Sequence, residues 1–378
     1  MKSIAERVIE RAVEIQQIPA PTFEESERAE FVREAFIREG LKDVSMDEAW
    51  NVYGCLSNVE RRTSNVKPLI VSAHLDTVFS RETNLEVRRE GGKIFGPGLG
   101  DNSLGVAALF GLIWSLRECQ PSPQPSPAGI GGPGGDLWLA ANVCEEGLGD
   151  LRGMKSVLER FGSDALAYLV LEGLALGHVY HRAVGVKRYR VTARTKGGHS
   201  WSDYGQPSAV HELAKLVVQL TSLDLPKEPR TTMNVGTISG GTSVNVIASE
   251  ASFDLDLRSE EEESLAELVS AAEKFIRRAG KPGVRVEAEV IGRRPAGVMD
   301  PHHPLIKIAE ECLREQGLDA VLTSGSTDAN VPLSMGYPAL VLGVSTGGDA
   351  HTVQEFIHTA PVEQGMEQLV CFVERVWG

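Results

Sequence analysis

The chain has 378 residues, enough for two domains with sizeable cores. Its 42% hydrophobic and 24% charged content is ordinary for a soluble globular protein, and its net charge of −14 argues against nucleic acid or an anionic membrane as a partner. Five cysteines without CxxC spacing, an N-terminus charged from Lys2 onward and the lack of an apolar run near the ~20 residues of a membrane span predict reduced thiols and a cytoplasmic enzyme or binding protein.

Ile4, Val8, Ile9, Ala12 and Val13 form a helical stripe over residues 2–17. Thr22 followed by Glu25 fits a capping box that opens a second helix, through Phe31, Ala35 and Phe36, ending at Gly40. The apolar run at residues 68–73 suits a central strand and delivers His74-Leu75-Asp76 at its carboxyl end, where ligands of open α/β sheets collect. Gly96-Pro97-Gly98-Leu99-Gly100 makes a tight turn into Asp101-Asn102, ahead of an amphipathic helix at about residues 104–116. Residues 120–136, dense in Pro, Ser and Gly, read as a surface loop without chemistry. A buried strand at residues 137–141 leads to Glu145-Glu146-Gly147, and another at 166–171 leads to Glu172-Gly173.

The pattern changes near residue 182. Strands at 186–195, 233–239, 251–257 and 284–291 and helices at 207–220 and from a Ser259/Glu262 cap to Ala279 give the order β-α-β-β-α-β, a ferredoxin-like insertion. α/β character then returns, with a helix at 304–316, a strand at 339–344, His351, and a last helix at 362–377. The expected organisation is an α/β catalytic domain of residues 1–181 plus 292–378, interrupted by a lid of residues 182–291.

His74, Asp101, Glu146, Glu172 and His351 each follow a strand or a glycine-rich turn. Singly, each has a plainer reading: a surface or core histidine, a helix cap, a solvated strand end. Together, two imidazoles and three carboxylates suit zinc or a related divalent ion, and hold two ions if one carboxylate bridges. Asp101 is the expected bridge, beside a helix N-terminus that favours negative charge. Asp76 is placed to hydrogen-bond the ring of His74 and set its tautomer. Neighbours on an extended chain point to opposite sides, so Glu145 and Glu146 are expected to divide their work, Glu146 binding metal and Glu145 handling a proton.

The motifs Ser72-Ala73-His74-Leu75-Asp76-Thr77, Gly98-Leu99-Gly100-Asp101-Asn102, Glu145-Glu146-Gly147, Glu172-Gly173 and Gly347-Gly348-Asp349-Ala350-His351-Thr352 resemble, in order and spacing, those of the di-zinc metallopeptidases that include carboxypeptidase G, succinyl-diaminopimelate desuccinylase, acetylornithine deacetylase, aminoacylase and peptidase T. The resemblance spans nearly the whole chain. It implies a zinc-peptidase-like three-layer α/β domain with an inserted α+β lid that dimerises. It further implies one ion on His74 and Glu172, a second on Glu146 and His351, and Asp101 between them. Zinc is the first expectation, with cobalt or manganese as alternatives.

Glu145 is then the implied general base, acting on water held between the ions, and Asp76 the partner of His74. Lys196-Gly197-Gly198-His199-Ser200 matches the lid motif whose histidine polarises the scissile carbonyl in the partner subunit. Asn245 and Arg258 match substrate-contacting lid positions, although Asn245 could serve a turn and Arg258 could pair with a glutamate that follows it. Thr327, in Ser324-Gly325-Ser326-Thr327-Asp328, matches a loop lining the same pocket. The expected activity is hydrolysis of an amide bond in a small peptide or N-acyl amino acid by a homodimer. Within the family Glu172 points to carboxypeptidases and N-deacylases, whereas the residue 325–330 loop resembles peptidase T-like tripeptidases. A non-catalytic ligand-binding relative is the alternative of another class.

Overall fold

The structure, a computed structural model, describes residues 2–57, 66–118 and 135–377. The loop expected at residues 120–136 lies, up to residue 134, outside the described residues. The chain divides into two compact units, Met1–Ala183 with Val298–Gly378, and Val184–Gly297. Each has its own apolar core.

The first unit is built on a large mixed sheet with strands in the order Lys42–Met46, Val52–Leu56, Leu137–Asn142, Leu69–His74, Ala167–Glu172, Ala339–Gly343 and His178–Ala183, with Val321–Gly325 beside the last. The strands from Leu137–Asn142 to Ala339–Gly343 run parallel. Their register places His74 opposite Asn142 and Glu172 opposite Gly343, so the carboxyl ends finish side by side. The apolar runs of these strands are buried except at Trp138, which is half-buried, as parallel strands covered on both faces require.

The helix Ile4–Gln16 opens with a capping box made by Ser3 and Glu6. The helix Leu104–Glu118 is not the amphipathic element expected: every residue from Leu104 to Trp114 is buried. Together with the turn before it, the segment Leu99–Glu118 is long and apolar enough to cross a membrane, but 83% of that window is buried inside the unit as a core helix. A Cβ at Gly111 would meet Met366 Cε at 2.5 Å and Val8 Cγ2 at 2.7 Å, so glycine is what allows the neighbouring helices to approach. Each large apolar side chain buried here contributes about 1.5–3 kcal/mol.

Cys312 and Cys371 form a disulfide, which corrects the expectation of reduced thiols throughout. They lie on the helices Pro304–Glu315 and Pro361–Trp377 with Cα atoms 5.9 Å apart, inside bridging range. Unpatterned spacing along the chain says nothing about such a pairing across helices. The bridge spans 59 residues, a separation worth about 4 kcal/mol in a chain-entropy estimate. Cys312→Ser is therefore expected to lower the thermal midpoint. Thiol titration under denaturing conditions should find two fewer reactive groups in the unreduced protein than after reduction.

The second unit has the order β-α-β-β-α-β. Its sheet runs Thr231–Gly240, Glu250–Ser259, Gly185–Thr195, Val284–Arg294, all antiparallel, with helices Ala209–Thr221 and Glu262–Ala279 covering the core. The last strand continues past residue 291 to Arg294 across a bulge between Val290 and Gly292, which breaks the alternation that marks a strand in sequence. Ser259 is a strand residue rather than a helix cap.

Candidate metal centre

Every ligand expected in the first unit comes to the carboxyl ends of the parallel strands. His74 ends its strand and is 1% exposed. Its Nδ1 lies 3.1 Å from the main-chain oxygen of Asp76, which accepts the ring N–H and leaves the Nε2 lone pair to face the site. The Asp76 carboxylate faces the same ring nitrogen through its Oδ1. At 3.6 Å its contact with His74 is electrostatic, and its hydrogen bonds go elsewhere. Asp76 Oδ1 accepts the main-chain N–H of Glu145, Oδ2 accepts that of Glu146, both at 2.9 Å, and the Thr22 hydroxyl donates to Oδ2.

The Glu145-Glu146 pair is not on an extended strand. The strand stops at Asn142, and Cys144 takes a left-handed φ of 57°. The chain turns there, so that turn and the Asp76 bonds, rather than alternation along a strand, set the directions of the two glutamates. Glu25 supports it from below, accepting the Cys144 N–H at 3.1 Å. The expected Thr22/Glu25 capping box does not form: the helix Ser26–Arg38 begins without a side-chain cap, because both residues are bound to the site.

Asp101 sits in the irregular turn Leu99–Ser103, ahead of the regular helix, and the bond to Asn102 is cis. Its oxygens separate. Oδ1 lies 3.1 Å from His74 Nε2, and Oδ2 lies 3.0 Å from His351 Nε2. Glu172 Oε2 is 3.8 Å from His74 Nε2, and Glu146 Oε1 is 3.2 Å from His351 Nε2. Asn102 ties the two turns together, donating to the Leu171 carbonyl and accepting the Gly173 N–H on either side of Glu172.

The electrostatics favour positive charge here. Burial opposes a charged His74, but the Asp101 and Asp76 carboxylates outweigh it and hold the imidazole well above its ordinary value. Asp101 and Glu146 raise His351 to about 10. Burial works to raise Asp101, yet the two imidazoles hold it below the usual carboxylate range. Burial drives Glu172 well above that range, with His74 pulling it down and Asp101 and Glu145 pushing it up.

The donor set fits divalent cations. Among the described residues, His74–Asp101–Glu172, His74–Glu145–Glu146 and Asp101–Glu146–His351 each bring one donor atom per residue within 4.8 Å of one another. Two donors bound at ~2.1 Å to one tetrahedral ion lie about 3.4 Å apart, the scale of the contacts around Asp101. Glu146 Oε1 is buried and has no hydrogen-bond donor, although His351 Nε2 is beside it.

The sequence profile of Peptidase family M20/M25/M40 matches residues 70–375. The chain belongs to that family. It is accordingly a hydrolase acting on peptide bonds. The uncharacterized protein YqjE of Bacillus subtilis is 24% identical over 384 residues, covering 98% of this chain and 96% of that protein. Among solved structures, a tripeptidase from Staphylococcus aureus matches with a TM-score of 0.80 at 23% identity, covering 98% of each chain. YXEP of Bacillus subtilis, described as a dinuclear metal binding peptidase, matches with a TM-score of 0.66 at 15% identity, covering 99% of this chain and 98% of that one. These likenesses are of fold.

In the second unit, His199 is exposed, and its Nδ1 accepts the N–H groups of Trp201 and Ser202 at 3.2 and 3.4 Å. A neutral ring so held carries its proton on Nε2. Asn245 is exposed and takes part in a turn: its Oδ1 accepts from Ser243 and its carbonyl from the Ser200 N–H. Arg258 pairs with Asp256 at 2.6 Å, not with a following glutamate, and Asp256 also holds Arg188 at 2.8 Å. In the first unit, the Thr327 N–H donates to Asn330 and its hydroxyl accepts from Ala329, shaping the start of the short helix Asn330–Ser334.

Sequence reasoning missed Thr22, Glu25, Asn102 and Glu355 as supports of the site. Thr22 and Glu25 were visible, but as a capping pattern. Asn102 stood beside a ligand and Glu355 four residues after one, yet no spacing rule says which polar neighbour is buried.

Proposed function

We propose that this chain is a two-metal peptidase or N-deacylase that cleaves an amide bond in a small peptide or N-acyl amino acid. The observation that carries this reading is Asp101, whose two carboxylate oxygens each face a different histidine. Two divalent ions, zinc first, would be held by His74 and Glu172 on one side and Glu146 and His351 on the other, with Asp101 shared. Such ions supply Lewis acidity, making water a nucleophile near neutral pH and polarising the carbonyl it attacks.

The chain's own residues do the rest. Asp76 holds the main chain of both glutamates. Glu146 is thereby fixed as a ligand, and Glu145 is set beside it to accept a proton from the attacking water and pass it to the leaving amine. His199, with its proton on Nε2, would donate a hydrogen bond to the oxygen that becomes negative, in the partner subunit's site. A homodimer through the lid is supported by the lid sheet's edge strand Thr231–Gly240, most of which is exposed.

A tripeptidase of the peptidase T type is the second reading. It is favoured by the likeness in fold to the tripeptidase from Staphylococcus aureus, at a TM-score of 0.80. A screen of dipeptides, tripeptides and N-acyl amino acids decides between them. Hydrolysis should be abolished by a chelator and restored by zinc, cobalt or manganese; activity indifferent to chelation overturns the metal-dependent reading. The role of His199 has a separate test. His199→Ala and Glu145→Gln are each expected to be nearly inactive, and mixing them should restore activity through heterodimers with one intact site. No recovery after demonstrated subunit exchange would show that His199 does not act in trans.

A further inference from the structure

Glu355 is a fully buried carboxylate that the proposed chemistry does not use. It follows His351 by four residues and leads into the strand Phe356–His358. Its Oε1 accepts the main-chain N–H groups of Gly100 at 2.6 Å and Asp101 at 2.9 Å, and its Oε2 accepts that of Gly98 at 3.2 Å. Its own carbonyl accepts the Gly96 N–H at 2.9 Å. One residue from the His351 segment thus holds most of the glycine-rich turn.

The turn also closes on itself, the Leu99 N–H donating to the Gly96 carbonyl and the Ser103 N–H to the Gly98 carbonyl. Gly98 has a φ of +72°, and a Cβ there would meet Thr77 Cγ2 at 2.7 Å. A Cβ at Gly100 would meet Leu174 Cδ2 at 2.6 Å. Side chains are therefore excluded from the glycine positions, and the turn is fixed through its backbone. Besides Glu355, Gln16 donates to the Pro97 carbonyl and Ser103 to the Gly98 carbonyl. The direction of the Asp101 carboxylate follows from its main chain, whose N–H belongs to Glu355.

We infer that Glu355 is a positioning residue that aims Asp101 between the two histidines and couples the bridge to the segment carrying His351. This rests on the proposed two-ion centre. A carboxylate suits the task because three N–H donors converge on two acceptor oxygens. Glutamine has nearly the same shape but offers one acceptor, and its NH₂ group would confront an N–H.

The test is calorimetric titration of metal-free protein with zinc, comparing Glu355→Gln with the unaltered chain, alongside the thermal midpoint of each metal-free form. The unaltered chain is expected to bind two ions. Glu355→Gln is expected to lose about 10- to 100-fold in zinc affinity at one or both sites, the range for removing an outer support of a metal site. Wild-type affinity in the variant overturns the inference, whether or not its thermal midpoint falls, since that result leaves Glu355 only a structural role. Should Glu355→Gln fail to fold, Glu355→Asp, which keeps the carboxylate one methylene short, reads the same way: weakened zinc binding supports positioning, and wild-type binding overturns it. If the unaltered chain binds fewer than two ions, the metal-centre reading itself fails and takes the inference with it.

Discussion

Replacing Glu145 with glutamine is expected to lower kcat by about 10²- to 10⁴-fold, the usual contribution of a positioned general base, while leaving the metal content unchanged. The carboxamide keeps the shape of the side chain but cannot take a proton. The main chain at this position is held by Asp76 through the Glu145 N–H, a bond the substitution leaves in place. The result also discriminates. Glu145 lies in one of the three donor clusters, with His74 and Glu146. Loss of metal from Glu145→Gln would make it a ligand rather than a base, and full activity with metal confirmed would remove it from the mechanism.

Asp101→Asn is expected to have a larger effect on binding. An asparagine retains one carbonyl oxygen but not the two anionic oxygens that face His74 and His351. Zinc affinity should fall by more than about 100-fold, beyond the loss typical of an outer support. The bound metal should drop from two ions per chain to one or none, and hydrolysis should fall with it. Metal analysis after dialysis, followed by single-turnover assays at saturating zinc, checks both parts. A variant that still holds two ions tightly would show that Asp101 does not bridge.

The parallel strands of the first unit were legible because their apolar runs are short, continuous and bounded, and burial on both faces leaves little other reading. The candidate ligands were legible as a group because strand ends and glycine-rich turns carry them, and the structure brings their donor atoms within 4.8 Å of one another in three clusters. What failed was local chemistry with two uses. Thr22 and Glu25 have the spacing of a capping box, but a buried carboxylate and a strained turn compete for the same groups and win them. The reading of Asp76 through the nearest histidine left out two main-chain N–H groups, from a segment about seventy residues away, that its carboxylate also serves. The helix Leu104–Glu118 was expected to be amphipathic, yet it is buried on every side from Leu104 to Trp114 and its polar residues lie only at its last turn. The Cys312–Cys371 bridge and the buried Glu355 depend on contacts between distant segments, which no periodicity records.

The most direct measurement is anomalous diffraction at the zinc edge from crystals grown with zinc. Two peaks about 3.5–4 Å apart, the spacing of paired catalytic ions, with the Asp101 carboxylate between them, is the predicted result. A single peak, or two peaks that do not share Asp101, would contradict the account.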